Sequence, residues 1–465
     1  MSRSRFGAKV RLTPLVALIF FSVSGGAYGL EPLVSSSGPG MAFVLLLVTP
    51  VIYAIPVALF TAELSSAIPD EGGTYVWVKQ GLGNFWGHQE GMLWWITSWV
   101  DMALYPVMFA DYLAGLIPGV ADGATPLIHI AGFDFDLHWL VGVGCVVIPF
   151  TLLNLRGAKA VGDNSTILTV IALAPFALLA AWGIPQLFSH GVDPVGPFTP
   201  EHTGAVGAFG AGLWIVMWNY CGFDSIAQVT EEVENPQRNV PRALFLAIAL
   251  IVAAYVIPLL GALAAGGWQD WDDGSFVGVG KQLGGSWLGH AITIGGLASA
   301  AGLFSSLLLT NSRIPFVLAE DGYLPRRLVK RSKRFGTPIA AIVLCSTIYA
   351  LFATSKFQTL VVIDVFLTNI TLLLELAALI ALRRKRPDLE RPFRIPGGAA
   401  GITIMSVPLV AVIVFAAVEQ FRDEGWTAFY WTAGTLGLSL VSWPIARWAA
   451  GASRGSAPLP DPADA

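Results

Sequence analysis

The stretch "FFSVSGGAYGLEPLV", Phe20 to Val34, decides how this chain is read. It lies inside the first long apolar run, yet two adjacent glycines, a serine, a glutamate and a proline fall near its middle. Lipid cannot satisfy an unwound backbone, so a break survives at membrane depth only where it faces protein or a watery cavity. Its bare peptide groups are then free for a ligand. Half-helix N-termini suit a carboxylate or another acceptor, while C-terminal ends and carbonyls suit a cation or an ammonium group. Glycine serves such a break because the chain must take unusual dihedrals and lie close to its ligand. Close helix contact is the alternative role for Gly25 and Gly26. A following acid and proline, and a second break further on, favour a site.

The premise of a membrane rests on composition. Of 465 residues 55% are hydrophobic and 12% charged, and the mean hydropathy is +0.66; soluble domains carry roughly twice that charged fraction. A hydrocarbon core about 30 Å thick takes about 20 mostly apolar residues per helix. Twelve runs qualify, near 12–36, 40–66, 87–116, 137–155, 161–183, 206–234, 241–266, 286–319, 338–354, 357–382, 402–421 and 428–449, and are called helices 1 to 12 below. A cleaved signal peptide is the competing reading of residues 1–30, and the eleven runs that follow weigh against it. With the N-terminus in the cytoplasm, 24 Lys and Arg fall inside and 3 outside (Lys281, Lys356, Arg422). That bias fixes the orientation and puts both termini in the cytoplasm, with the protein in the plasma (inner) membrane.

Several function classes drop out. The net charge of −4 says little about partners. Cys145, Cys221 and Cys345 all lie in apolar runs and read as small core residues, so neither a disulfide framework nor a metal cluster is expected. The chain has no HExxH, no Walker-type loop and no GxGxxG after a strand pattern. No cofactor, metal or nucleic-acid partner is expected, and an enzyme is disfavoured because no nucleophile and base pairing lies in the apolar runs. The expected organisation is a cytoplasmic segment at 1–11, a membrane core at 12–400, helices 11 and 12 within 401–450, and a disordered tail at 451–465. Two loops, "PDEGGTYVWVKQGLGNFWG" and "EDGYLPRRLVKRSKRFGTP", mix aromatic and basic residues, which suits interfacial helices anchored by Tyr75, Trp77 and Tyr323.

The break recurs. Helix 6 carries "MWNYCGFDSIAQ", with a polar and glycine interruption from Asn219 to Asp224, five helices after the break at Ser24, Gly25 and Gly26. Paired interruptions in two halves mark inverted-repeat transporters, and the odd spacing requires opposite orientations. Ionisable groups at mid-membrane cost about 2.5–3.5 kcal/mol and are functional candidates by default. Glu31, Asp101, Asp111, Asp224 and Glu375 qualify, and the middles of these helices supply almost no Lys or Arg to pair with them. Unpaired acids around a cavity predict a cationic ligand, a coupling proton, or both. Glu31 has the alternative of capping the second half of helix 1, and Asp111 of being solvated at a helix end.

These residues resemble the amino acid-polyamine-organocation transporters, with their LeuT-type five-plus-five inverted repeat, and most nearly the polyamine:proton symporter branch. "VSGGAYGLE", "DMALYPVMFADYL", "APFALL", "FDSIAQVTEEVENPQRNVPRAL", "LAEDGYLP", "GTPIAAI" and "LELAALIALRRKRPDLERPFRIPGG" carry the likeness over roughly residues 10–400. The resemblance implies an all-α membrane protein of twelve helices in which helices 1, 3, 6, 8 and 10 surround one site and helices 11 and 12 stand outside the repeat. It implies Ser24, Gly25 and Gly26 as one broken segment, Asn219, Cys221 and Gly222 as its partner, and Trp218 as an aromatic gate. Tyr105 would line the same cavity as Asp101, since their spacing of four places them on one helix face, and an indole suits an organic cation. Two departures stand out. A helix 5 lysine kept by several relatives falls on Ala172 here, for which Lys159 is no substitute, and an acid common in the polyamine branch is replaced by Ser22. The expected function is import of an amino acid or polyamine by alternating access, coupled to protons, with an exchanger as the alternative and a non-transporting nutrient sensor behind it.

Overall fold

The computed structural model describes residues 9–120, 128–130, 133–272, 274–354, 357–424 and 426–454. Helix 1 runs over Leu12–Val23 and stops at Ser24, whose backbone is extended at φ −139° and ψ 160°. Gly26 and Gly29 take φ of 105° and 81°, and a helix resumes over Glu31–Ser37. Pro32 falls in its first turn, where a missing N–H leaves no bond unmade. Ser24 Oγ accepts from the Gly26 N–H at 3.0 Å. Glu31 Oε2 accepts from the Gly29 N–H at 3.0 Å, and so the unwound segment is tied by its own side chains.

Helix 6 breaks in the matching place. Its first half, Ala205–Asn219, ends as Tyr220 leaves helical geometry and Gly222 takes φ 99°. The second half, Ser225–Glu232, is a 3-10 segment kinked at Val229, shorter and tighter than the apolar run to 234 suggested. The helix 6 break touches the last turn of helix 1. A Cβ on Gly222 would stand 2.3 Å from the Ser22 carbonyl oxygen, a gap only glycine leaves open.

The remaining apolar runs are helical close to their expected bounds. Helix 2 is Pro39–Ala67 and helix 4 is Leu137–Asn154, each wound wider at Pro50–Ala54 and Val143–Val147, where nearby prolines remove N–H donors. Helix 3 is Asn84–Ala114, helix 5 Ala158–Ser189, helix 7 Pro236–Ala262 and helix 8 Ser286–Asn311, which Arg313–Glu320 extends. Helices 9 to 12 are Ile339–Phe352, Phe357–Lys385, Gly398–Glu424 and Trp426–Arg454. Among the described residues six helical stretches are long and apolar enough to cross a bilayer unaided, in helices 2, 4, 5, 7, 8 and 11. Leu12–Val23 and Ala205–Asn219 are apolar but shorter, because the breaks cut them. Helix 8 lies against helices 1, 3 and 5, helix 10 against helix 3, and Glu31–Ser37 against the first half of helix 6. Helices 1, 3, 6, 8 and 10 thereby meet around one interior region.

Two short helices add a second echo. Gly73–Leu82 precedes helix 3 and Ser275–Gly284 precedes helix 8. They end alike, with the N–H of Gly83 (φ 100°) donating to the Lys79 carbonyl and that of Gly285 (φ 85°) to the Lys281 carbonyl. Both following glycines are closed in by that lysine: a Cβ on Gly87 would meet Lys79 Cβ at 2.6 Å, and one on Gly289 would meet Lys281 Cγ at 2.4 Å. The first short helix is no interfacial anchor, because Trp77 and Tyr75 are buried, as is Tyr323 in the later loop. Trp77 donates to the Ile68 carbonyl and Tyr75 to Asp321, so tertiary contacts replace the expected lipid contacts. A two-stranded antiparallel hairpin, β1 (Ile128–Ile130) with β2 (Phe133–Phe135), interrupts an otherwise helical architecture.

Candidate functional site

Where the two breaks meet helices 3, 8 and 10, they line a cavity of about 80 Å³, space for a few waters in this conformation. Ser24 and Gly25 line it from helix 1, Asp101 and Tyr105 from helix 3, and Trp218, Asn219, Cys221, Gly222 and Asp224 from helix 6. Gly25 is pressed against helix 8, since a Cβ there would meet Ser299 Oγ at 1.8 Å. Its N–H has no acceptor among the described residues. Gly26 does not reach the cavity wall; it faces Leu173 and Tyr28 and spends its N–H on Ser24.

Asp101 and Tyr105 share a face as their spacing requires, with the Tyr105 hydroxyl donating to Asp101 Oδ1 at 2.6 Å. That bond orients the carboxylate. Asn219 is partly spent on its own helix, its amide donating to the Ile215 carbonyl at 2.7 Å. The Asn219 carbonyl at the break accepts from Tyr255 at 2.7 Å. Cys221 Sγ lies 3.4 Å from the Tyr53 hydroxyl, which in turn donates to Asn369 of helix 10. No Lys or Arg stands among the described lining residues, and the wall carries the two acids Asp101 and Asp224.

The remaining candidate acids fall elsewhere. Glu31 is fully buried and accepts from the amides of Gly29 and Phe276, the geometry of a cap and a tie to the short helix before helix 8. Asp111 is half-exposed and pairs with His138 Nε2 at 2.8 Å, away from the cavity. Glu375 is fully buried behind the wall, close to Asp224. Sequence reasoning missed the lining residues Trp94, Ser98, Ser299 and Asn311, whose local sequences read as ordinary apolar helix, and Tyr28, which sits in the helix 1 break itself. It also missed Glu90, a buried acid of helix 3 hidden in the polar run His88-Gln89-Glu90. Ala172, where relatives keep a lysine, is buried, and its carbonyl faces helix 8 beside Tyr28. Ser22 lines the cavity, with its hydroxyl turned back to the Leu18 carbonyl at 2.9 Å.

On one side of the cavity, charged groups join three segments. Arg313 donates to Glu232 at 2.6 Å and lies 3.7 Å from Glu71. Arg331 reaches Glu71 at 3.6 Å and Glu320 at 3.2 Å, and Lys79 reaches Asp321 at 2.5 Å. Burial pushes the Glu71 carboxyl well above its ordinary range, and Arg313 pulls it back in part.

Comparison with known proteins fits this geometry. The family model for amino acid permeases matches residues 14–438. The polyamine transporter PUT1 of Oryza sativa subsp. japonica is 37% identical over 415 residues, 87% of this chain and 72% of the relative. The polyamine transporter RMV1 of Arabidopsis thaliana is 34% identical over 454 residues, 90% of this chain and 87% of the relative. An uncharacterized transporter of Legionella pneumophila is 26% identical over 398 residues, covering 79% and 80%. A family model spanning nearly the whole chain, together with relatives matched over most of their length, identifies a multi-pass membrane transporter rather than an enzyme, and the chain belongs to the amino acid permease family.

Proposed function

We propose that this protein is a secondary active transporter that imports an amine-bearing metabolite across the plasma membrane by alternating access, coupled to protons. The observation that carries the reading is the meeting of two backbone breaks at a cavity walled by Asp101 and Asp224 and by no described Lys or Arg. Such a wall attracts ammonium groups, and Trp218 adds a face for an organic cation. A polyamine would bind through Asp101 and Asp224. An amino acid would add its carboxylate at the unpaired Gly25 N–H. The relatives named as polyamine transporters favour the first, and Ser22, which leaves the helix 1 wall uncharged, favours the second.

The twelve helices would form a five-plus-five inverted repeat over 12–400, with helices 11 and 12 outside it and both termini cytoplasmic. The paired breaks in helices 1 and 6 and the matched lysine–glycine turns before helices 3 and 8 support that arrangement. The ion pairs of Arg313, Arg331 and Lys79 tie the segments after helices 2, 6 and 8, and would have to part for the cavity to open on that side. An exchanger would use the same residues and differ only in needing internal solute. Uptake of labelled spermidine or leucine into liposomes, empty or preloaded, tests the proposal. Uptake into empty vesicles that rises with an outside-acid gradient is expected. Uptake only into preloaded vesicles would indicate exchange, and none in either case would remove the transporter reading.

A further inference from the structure

In and behind the cavity wall lie three carboxyl groups that neither helix capping nor ion pairing explains. Glu90 of helix 3, Asp224 at the break in helix 6 and Glu375 of helix 10 are each 0% exposed. Glu375 lies near both others, close enough for their charges to interact, and of the three only Asp224 lines the cavity. No donor completes a well-formed hydrogen bond to any of their six oxygens. The Thr74 hydroxyl comes near Glu90, and the amides of Asp224 and Ser225 come near the Asp224 carboxylate, in each case without closing the bond. Gln228, which donates to Thr74, has a buried carbonyl oxygen that is also without a donor.

Basic groups on the surrounding elements are committed elsewhere among the described residues. Lys79 serves Asp321, Arg313 serves Glu232 and Glu71, and Arg383 serves Glu63. His88, on the same helix as Glu90, stands edge-on to Tyr323 and Trp443. The described His, Cys, Asp and Glu side chains form no group able to hold a metal ion. Adjacent buried carboxylates cannot all stay ionised without a cation. A carboxyl pair within reach resolves this by sharing a proton, the protonated oxygen donating to its neighbour.

We infer that Glu90, Asp224 and Glu375 form a proton-binding relay that couples solute movement to protons, with Asp224 as the exchange point at the cavity and the Glu90–Glu375 pair as the buried store. The inference rests on the transporter reading above. Both Asp224 oxygens are closed to solvent in this conformation; when the site opens, a proton from cavity water binds an Asp224 oxygen and passes to Glu375, and Asp224 regains its charge. The proton is then held between Glu375 and Glu90, and the reverse path releases it; only O–H bonds form and break. A solute ammonium at Asp224 balances that carboxylate while the proton balances the pair, so both are needed before the site closes to water.

The test uses the full chain in liposomes, with the membrane potential clamped and labelled spermidine or leucine as probe. With one proton carried per solute, a one-unit outside-acid gradient drives about tenfold accumulation in the wild type. In Glu90→Gln or Glu375→Gln, exchange with preloaded probe persists and gradient-driven accumulation is lost. Exchange of neither probe by the wild type would overturn the transporter reading and the relay together. Wild-type exchange without gradient-driven accumulation, or accumulation that survives both substitutions, would overturn the relay alone. Where an amide variant fails to exchange, the wild type still decides through infrared difference spectra. The relay requires a protonated carboxyl band at neutral pH that disappears in alkali, and absence of that band would overturn it.

Discussion

Replacing Gly222 with alanine probes the contact between the helix 6 break and the last turn of helix 1. The new Cβ would stand 2.3 Å from the Ser22 carbonyl oxygen, whereas a carbon meets a carbonyl oxygen at about 3.3 Å or more. Helices 1 and 6 would have to part by about 1 Å, and neither atom belongs to a side chain that can swing away. The φ of 99° adds backbone strain of about 1–3 kcal/mol for a residue with a side chain, and overpacking adds about 1–3 kcal/mol. A total of about 2–6 kcal/mol is large beside a net folding stability of about 5–15 kcal/mol. Gly222→Ala should therefore lower the thermal midpoint in detergent and reduce uptake by about 30-fold or more. Gly25→Ala is the control. Its nearest neighbours are side-chain atoms of Ser299 and Leu303, so Ser299→Ala should restore part of its loss, and no side-chain deletion near Gly222 should do the same. Wild-type stability and uptake in Gly222→Ala would refute the claim that the helix 6 break packs backbone to backbone against the last turn of helix 1.

Other substitutions address the acids and the charged network. Asp224→Asn should weaken spermidine binding by about 10- to 150-fold, the range for losing a hydrogen bond to a charged group, while leaving membrane insertion intact; retained affinity would make the residue structural. Tyr105→Phe frees Asp101 from its 2.6 Å partner and should cost about 5- to 10-fold in affinity, read by thermal shift with spermidine. For Glu71 the sign follows from its raised folded-state pKa. Its contribution to stability is fully present below the unfolded value and is lost as pH rises through the folded one. Glu71→Gln should accordingly raise the thermal midpoint at neutral pH relative to wild type, with the gain vanishing in acid below the ordinary carboxyl value of 4.5. A gain that grew in acid would reverse the assignment.

Both breaks were legible because their causes are local. Gly25-Gly26 followed by Glu31-Pro32, and Gly222 followed by Asp224, are residues whose backbone and charge preferences conflict with a continuous helix in lipid. Asp101 and Tyr105 were legible as a pair because helical periodicity alone puts them on one face. What stayed hidden depends on tertiary position. Glu90 reads as one more polar residue at a helix start until helix 10 brings Glu375 beside it. Asp111 and Glu31 have the composition of functional acids, yet His138 and two backbone amides absorb them. The likeness of Lys79-to-Gly87 and Lys281-to-Gly289 is faint in letters and clear in geometry, because the shared feature is a glycine fitted to a lysine stem. Tyr75 and Trp77 carry an interfacial composition, but the second half of helix 6 and the segment after helix 8 close over them. The 3-10 form of Ser225–Glu232 has no marker in an apolar run.

An experimental density map of the protein with spermidine bound would test the central claim most directly. The account predicts helices 1 and 6 interrupted at Gly25 and Gly222, with elongated density between Asp101 and Asp224. Two rods continuous through those glycines, or spermidine bound away from both carboxylates, would contradict it.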